Sequence, residues 1–315
     1  MMVNFSQVSH FTLGAYFDTG PLKWLYFVII LSLYILILLS NLLLIVVICL
    51  NRTLHEPMYI FLCSLFVNEL YGSTALYPFL LSQIPQDVHK VSYSFCLAHI
   101  FTIYYYGSLE FSSLSVISYD RYVAICFPLQ YNSRMNNRKV VFLFILIWLP
   151  PFVAVLITTI LTSSLTLCGN VLDTVLCDNY CVVKLSCFDT TINNLYELVA
   201  ASVTVMLPVC VIIFTYIHIF KVCFNGSKQT RQKAASTCTP HICSLVNGAF
   251  GALFLIIQTR FNMSHWPHIV RIILPLYHLA CQPLFNPLMY GLKLTKMRNA
   301  CKNILSKNKI MIGVN

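Results

Sequence analysis

The segment WLYFVIILSLYILILLSNLLLIVVICL occupies residues 24–50, and no charged side chain interrupts the chain between Lys23 and Arg52. That uncharged interval is 28 residues long, and about 20 apolar residues in a helix are enough to cross the hydrocarbon core of a bilayer. Inside that core the backbone finds no water, so a helix, which satisfies its own hydrogen bonds, is the expected structure. The segment therefore predicts a membrane-spanning helix.

Six further intervals share this character. Four carry no charged residue: 140–172, 198–220, 234–259 and 272–292. Two more, 57–86 and 91–119, enclose one acid each, Glu69 and Glu110. Charged residues make up only 10% of the chain, against about 25% in soluble domains. We therefore expect an all-α membrane protein, a seven-transmembrane helix bundle, rather than a soluble enzyme with a large buried helical core.

Basic residues predict the orientation of the helices. Of the 20 lysines and arginines, an outside amino terminus places five on the outer face and the remaining fifteen on the inner face. Because cytoplasmic loops carry the excess of Lys and Arg, we expect the amino terminus outside a plasma membrane and the carboxyl terminus in the cytosol. The formal charge of +10 then reflects topology and attraction to anionic membrane lipid, and not nucleic acid.

The chain is expected to divide into three parts. Residues 1–23 form an extracellular tail with a glycosylation acceptor at Asn4 and no cleavable signal peptide, and residues 24–292 form the transmembrane domain. Residues 293–315 form a cytoplasmic tail, where apolar residues recur at spacings of three and four between basic ones: Leu294, Met297, Cys301 and Ile304. That pattern is typical of a short amphipathic helix on the inner leaflet.

Five of the 14 cysteines fall on the predicted outer side, where disulfides persist. We expect Cys96–Cys177, which would tie the long outer loop to the third helix, and Cys168–Cys187 within that loop, with Cys181 left over. Spacing alone does not fix this pairing. A metal site is a weaker use of the same cluster, because no histidine joins it.

Four sequence motifs indicate a family. SYDRYVAIC lies at residues 118–126, at the end of the third predicted span, and LHEPMY occupies residues 54–59. KAASTCTPH lies at residues 233–241 and PLFNPLMY at residues 283–290. In these motifs and their order, residues 24–305 closely resemble the odorant receptors, a branch of the rhodopsin-like G-protein-coupled receptors.

The resemblance implies a receptor that binds a small-molecule odorant and activates a stimulatory heterotrimeric G protein, which raises cyclic AMP in the cilia of sensory neurons. No catalytic constellation appears in the sequence, so an enzyme is not expected. Two alternatives stay open. One is a non-olfactory chemosensory receptor with the same fold, and the other is a proton-coupled transporter, which intramembrane acids would suit although the internal repeats typical of transporters are absent.

The resemblance also implies roles for individual residues. For G-protein coupling and activation, the resemblance implies these residues: Asp120, Arg121, Tyr122, Tyr216, His241, Asn286, Pro287 and Tyr290. For His241 a polar residue at the membrane interface is the alternative. Four residues resemble the buried sodium or proton site of the family: Asn41, Glu69, Glu110 and Asn286. A carboxylate in the bilayer core is rare and usually functional; the alternative is two protonated acids bonded to neighbours. A sodium ion is the only cofactor expected.

We expect the odorant pocket in the outer half of the bundle, between the third, fifth, sixth and seventh spans. By helical position its residues are Tyr104, Gly107, Ser108, Phe111, Ala200, Ala201, Thr204, Asn247, Phe250, Gly251, Tyr277 and His278, each equally compatible with ordinary helix packing. Gly248 and Ala249 stand where odorant receptors commonly carry Phe-Tyr. Receptors for amines carry an Asp 18 residues before the arginine of the Asp-Arg-Tyr motif; Ile103 stands there, which disfavours an amine ligand.

Overall fold

The computed structural model of the protein describes residues 8–16, 20, 22–225, 232, 238–251 and 268–312, without the side chains of residues 268–276, 278 and 304–312. Helices dominate this part of the chain. They are α1 (Leu22–Leu50), α2 (Pro57–Gln83), α3 (Tyr93–Cys126), α4 (Tyr131–Arg134), α5 (Asn137–Ser163), α6 (Asn179–Val183), α7 (Thr191–Ala201), α8 (Leu207–Phe224), α9 (238–251), α10 (His268–Lys293) and α11 (Thr295–Ile312). A π-helical turn, Ser202–Met206, joins α7 to α8, so that the two helices form one rod.

The predicted seven-transmembrane bundle consists of α1, α2, α3, α5, the α7–α8 rod, α9 and α10. By length and composition alone, three of the described helices suffice to cross a bilayer: α1, α5 and the rod Thr191–Phe224. The central helices α2 and α3 are less apolar because they bury polar side chains, among them Asn68, Glu69 and Glu110. Their position inside the bundle explains why the sequence tolerates these residues there.

The helix α1 shows how the bundle meets lipid. Its buried residues recur every three or four positions: Ile37, Asn41, Leu44, Val47 and Ile48. This spacing places them on one face of the helix. The remaining surface exposes large apolar side chains such as Leu36, Leu39 and Leu43, which is the surface that a hydrocarbon environment requires.

The helix α3 lies at the centre, where it packs against α2, α5 and α8. The contact with α2 is close at Gly72, where an added Cβ atom would lie 2.3 Å from the Tyr106 ring. Only a glycine allows this approach, and it brings the Tyr106 side chain against the polar residues of α2.

A small sheet covers the outer end of the bundle. Strand β1 (His10–Leu13) lies between β2 (Lys90–Ser92), to which it is antiparallel, and β3 (Val171–Leu172), to which it is parallel. Phe11 and Leu13 are buried beneath it. No strand is predicted for the tail from the sequence, so the sheet is an addition to the expected fold.

Two disulfides hold the outer loop. Cys96 joins Cys177, with their Cα atoms 5.4 Å apart, and ties the loop to the first turn of α3. Cys168 joins Cys187 within the loop. These are the two pairs expected from the sequence, and Cys181 is a free thiol. The first disulfide holds the residues after Cys177 above the outer part of α3.

The amphipathic helix α11 follows α10 after a break at Leu294. Leu294 and Met297 are buried, and α11 packs against α1 and α10. The ammonium group of Lys296 lies 2.7 Å from a carboxylate oxygen of Glu56. The side chain of Ile304 lies outside the described residues.

Candidate functional site

A cavity of about 870 Å³ lies between α3, α5 and the α7–α8 rod, on the side of the outer loop. The α3 stripe, the face of α3 from Tyr104 to Phe111 that the sequence assigns to the pocket, forms part of the cavity wall. The α7–α8 rod forms another part. The residues from these two elements that were assigned to the pocket by position are Tyr104, Gly107, Ser108, Phe111, Ala200, Ala201 and Thr204. The structure therefore brings seven of the twelve assigned residues together around one cavity.

Two hydrogen bonds across the cavity wall position its polar side chains. The Tyr104 hydroxyl donates to Oδ2 of Asp178 at 3.2 Å, and the Ser108 hydroxyl donates to Oγ1 of Thr204 at 3.3 Å. Thr204 belongs to the π-helical turn and in turn donates to the carbonyl of Ala200 at 2.8 Å. The first bond ties the outer loop to α3, and the second ties the rod to α3.

Sequence reasoning missed part of the wall. The fourth span, α5, contributes Ala154, Val155 and Thr158, and the outer loop contributes Asp178. The expected pocket excluded the fourth span. The loop residue reaches the cavity because the disulfide at Cys177 holds it there, which no spacing along the sequence reveals.

Four assigned pocket residues do not line this cavity: Asn247, Phe250, Gly251 and Tyr277. Asn247, Phe250 and Tyr277 belong instead to the contact between α9 and α10, and Gly251 is buried on α9. The Tyr277 hydroxyl donates to Oδ1 of Asn247, and Nδ2 of Asn247 donates to Oε1 of Gln282 at 2.9 Å. His278 lies on α10 and Asn4 in the tail, and both side chains lie outside the described residues.

A buried polar cluster occupies the centre of the bundle. Nδ2 of Asn286 donates to one carboxyl oxygen of Glu69 and to one of Glu110, the latter at 2.9 Å. The Tyr106 hydroxyl donates to the other oxygen of Glu69 at 2.9 Å. Asn41, the fourth residue assigned to this site, donates to the carbonyl of Pro283 on α10 at 2.8 Å. One amide nitrogen therefore joins two carboxyl groups from α2 and α3.

The chemistry of this cluster fits a proton or a hard cation. Two carboxyl groups that share one donor in a buried site cannot both be charged unless a cation lies beside them. Without a cation, at least one of the two holds a proton. Oε2 of Glu110 and the amide oxygens of Asn41 and Asn68 are buried without a hydrogen-bond partner among the described residues. Oxygens of carboxylates and amides are the ligands that hard cations prefer. Asn68 and Tyr106 were not assigned to this site from the sequence.

The inner end of α3 carries a charge pair. The guanidinium of Arg121 donates from Nε to Oδ2 of Asp120 at 3.0 Å, and a second bond runs from its Nη2 to the same oxygen. The Tyr131 hydroxyl on α4 donates to Oδ1 of Asp120 at 2.7 Å. The Asp120 side chain is fully buried and that of Arg121 is 15% exposed. A charge-assisted pair of this kind holds the arginine against its own helix.

The other residues assigned to activation lie on α3, α8, α9 and α10. The Tyr122 ring packs against aromatic rings of α8, where the buried hydroxyl of Tyr216 bonds to no group among the described residues. Nδ1 of His241 on α9 lies 3.1 Å from the Tyr290 hydroxyl on α10, and both side chains are buried. His241 is therefore not exposed at an interface. Pro287 lies inside α10, whose helix continues past it.

A seven-helix bundle with an outer cavity, a buried carboxyl pair and an inner Asp-Arg pair defines a rhodopsin-like G-protein-coupled receptor. Its backbone is similar to the crystal structure of squid rhodopsin with a TM-score of 0.72, over 92% of this chain and 87% of that one. At 18% identity this likeness concerns the fold alone.

The chain belongs to the olfactory receptor family, whose profile matches residues 30–308. It is 32% identical to "Olfactory receptor 1" of Rattus norvegicus over 92% of each chain, and 32% identical to "Olfactory receptor 1E16" of Mus musculus over the same shares. It is 30% identical to "Olfactory receptor 2F1" of Homo sapiens over 96% of each chain. The protein is thus an odorant-type receptor of the plasma membrane that works with a G protein, and not an enzyme.

Proposed function

We propose that a small-molecule odorant binds in the outer cavity and that binding activates a stimulatory G protein, which raises cyclic AMP. The observation that supports this most directly is the cavity itself. Its volume of about 870 Å³ falls in the range typical of small-molecule sites, and its wall combines apolar side chains with a few oriented polar groups. An odorant there contacts α3 and the α7–α8 rod at once.

Binding changes the balance between inactive and active states. A ligand shifts such an equilibrium only by its differential affinity for the two states. The bond between Ser108 and Thr204 joins α3 to the rod at the cavity wall. A ligand that fits one spacing of these helices better than the other favours the corresponding state.

The central cluster couples the cavity to the inner end. Asn286 on α10 binds Glu69 on α2 and Glu110 on α3, and its Oδ1 accepts a bond from Ser244 on α9. A sodium ion or a proton held at Glu69, Glu110, Asn286 and Asn41 supplies the positive charge that the carboxyl pair requires. Because four helices meet here, displacement of α9 disturbs the cluster.

The inner end then accepts the G protein. Displacement of the inner end of α9 removes His241 from Tyr290 and opens a cleft beside Arg121. A G protein that enters this cleft competes with Asp120 for the guanidinium. The amino terminus is outside, the carboxyl terminus is cytosolic, and the sensory cilium is the membrane where a cyclic AMP signal of this kind acts.

A cyclic AMP assay with panels of acidic, neutral and basic odorants tests the proposal. We expect Arg121→Ala to abolish the odorant response at equal surface expression, whereas Arg52→Ala, which removes an exposed cation from the same face of the membrane, leaves it intact. A normal response in Arg121→Ala contradicts the role given to this arginine. A normal response after Gly107→Val, which adds bulk at the cavity wall, contradicts the location of the ligand.

A further inference from the structure

We infer that a groove at the inner end of the bundle binds the headgroup of a phosphoinositide, an anionic lipid of the inner leaflet. The groove has a volume of about 510 Å³ and lies between the inner end of α3, α4 and the start of α5. Of the proposed function, this inference uses only the orientation, which places this end of the bundle in the cytosol. Six residues line the groove: Tyr119, Arg134, Asn136, Arg138, Lys139 and Phe142.

Lys139 is oriented by two aromatic rings and by a helix cap. Its ammonium nitrogen lies 5.2 Å from the centre of the Phe142 ring and 5.8 Å from that of the Tyr119 ring, a range in which a ring attracts a cation. Oδ1 of Asn136 accepts from the backbone N–H of Lys139 at 3.0 Å, which fixes the first turn of α5. Because this cation is held in place before a ligand arrives, little freedom is lost on binding.

The two arginines supply forked donors. The guanidinium carbon of Arg134 lies 4.1 Å from the centre of the Phe127 ring, and its Nε donates to Oε1 of Gln130 at 3.0 Å. That bond uses one of the five N–H donors of a guanidinium. Arg138, in the first turn of α5, is exposed and lines the groove. Since a guanidinium binds phosphate oxygens through two parallel hydrogen bonds, both arginines suit a phosphate ligand.

The inner end of the bundle holds few acidic side chains that could neutralise these cations. Of the ten Asp and Glu residues in the full sequence, two lie at this end, Glu56 and Asp120. The carboxylate of Glu56 lies 2.7 Å from the ammonium of Lys296, and that of Asp120 bonds to the arginine beside it. Residues 226–237 and 293–315, parts of which lie outside the described residues, contain no acidic side chain in the sequence. The anion that balances the groove therefore comes from outside the chain.

The groove adjoins a stripe of α5 that faces lipid. Phe142 lines the groove and is exposed, and Ile145, Leu149 and Val153 are exposed beyond it. Residues spaced by three and four share one face of a helix. The stripe runs about 16 Å along the axis, which is about half the thickness of the hydrocarbon core. A headgroup in the groove therefore leaves its acyl chains against apolar side chains across one leaflet, contacts that a soluble phosphate cannot make.

The amount of positive charge favours a phosphoinositide over other anionic lipids. The groove gathers three cations, whereas phosphatidylserine offers a single net negative charge. Each phosphate monoester of a phosphoinositide carries about −1.5 to −2 charges at pH 7. Basic pockets on the cytoplasmic side of transmembrane helices bind headgroups of this kind.

A lipid titration of the purified full-length receptor tests the inference. The probe is a fluorescent dioctanoyl phosphatidylinositol 4,5-bisphosphate, whose binding in detergent solution is followed by fluorescence anisotropy. The competitors are dioctanoyl phosphatidylserine, which has the same chains, and inositol 1,4,5-trisphosphate, which has a similar headgroup without chains. We expect both to displace the probe less well than the unlabelled phosphoinositide does.

Charge-removing variants locate the site. Arg134→Gln, Arg138→Gln and Lys139→Gln are each expected to raise the Kd about fivefold, and the triple variant about 100-fold, since a basic residue near an anionic lipid contributes about this much. The control is the triple variant Arg52→Gln/Lys221→Gln/Arg298→Gln. It removes two arginines and one lysine that are exposed at the same end of the bundle and do not line the groove, and it is expected to leave the Kd unchanged.

Four results overturn the inference. Equal weakening in the two triple variants, or in neither, means that the groove is not a lipid site. Phosphatidylserine that competes as well as the phosphoinositide refutes the class of lipid, and inositol trisphosphate that does so indicates a soluble phosphate as the ligand. A groove variant that keeps its lipid affinity but loses the cyclic AMP response at equal surface expression assigns the groove to the G protein. Because the titration needs neither odorant nor G protein, its failure is distinct from failure of the proposed function.

Discussion

Replacing Gly248 by alanine is expected to raise receptor activity without odorant. A Cβ atom at this position on α9 would lie 2.5 Å from Nε2 of Gln282 on α10, which is closer than the atoms can pack. The Gln282 side chain is fully buried, so its amide can move only by giving up its partners on α9. It accepts from Nδ2 of Asn247 at 2.9 Å and donates to the carbonyl of Ser244 at 3.1 Å. Both bonds hold α9 against α10.

The size of the effect follows from these two bonds. Polar interactions between helices in a membrane average about 0.6 kcal/mol each, so losing two weakens the contact by about 1.2 kcal/mol. A difference of 1.4 kcal/mol is a factor of ten in an equilibrium constant. If activation separates α9 from α10, the active fraction without odorant rises about sevenfold.

The assay is basal cyclic AMP, normalised to receptor at the cell surface. Gly291→Ala is the matched control, because a Cβ atom there meets its nearest neighbour at an ordinary 3.5 Å. Gln282→Ala removes the same bonds without a clash and is expected to raise basal activity similarly. The double variant Gly248→Ala/Gln282→Ala should then equal Gln282→Ala alone, since both act through one contact. Basal activity unchanged in Gly248→Ala, or additive in the double variant, refutes the reasoning.

Three further outcomes are expected from the purified receptor and from cells. Tyr106→Phe removes the donor to Glu69 and should lower the Tm by about 2–4 °C, for a loss of about 1 kcal/mol; an unchanged Tm would mean that this bond adds nothing. Replacing Cys168 and its partner by serine should lower stability by about 3 kcal/mol and reduce surface expression, whereas Cys181→Ser, at a free thiol, should change neither. Burial lowers the pKa of His89 from its ordinary 6.5, so the unfolded chain takes up a proton at higher pH than the folded one; the Tm should therefore fall as the pH drops below about 6.5, and His89→Phe should weaken this dependence, whereas an unchanged pH dependence in that variant would mean that His89 contributes nothing to it.

Much of the fold follows from the distribution of charge along the chain. The uncharged interval at residues 24–51 corresponds to α1, which begins two residues earlier at Leu22 and ends one residue earlier at Leu50. The sheet could not be predicted, because its strands are two to four residues long and such runs carry no usable periodicity. Their pairing also joins segments far apart in the chain. The π-helical turn at Ser202–Met206 likewise has no signal in the residue types.

The residues of the candidate site also fall into two groups, those that the sequence predicts and those that it does not. The α3 stripe from Tyr104 to Phe111 could be predicted because residues three and four apart share one face of a helix. Asp178 could not, because its place over α3 depends on a disulfide and on the path of an irregular loop. Asn247 and Tyr277 were assigned to the pocket, yet they bond to each other. Depth along a helix can be counted from the sequence, but rotation about its axis depends on packing.

The outer sheet has a consequence for biosynthesis. Strand β1, made at residues 10–13, pairs in parallel with residues 171–172, which leave the ribosome about 160 residues later. At synthesis rates of 5–20 residues per second, the first strand waits roughly 8 to 32 s for this neighbour. With the amino terminus in the lumen of the endoplasmic reticulum, as we propose, strand β1 stays open to lumenal chaperones during that time, and closure of the sheet marks the point at which the first four spans are in place.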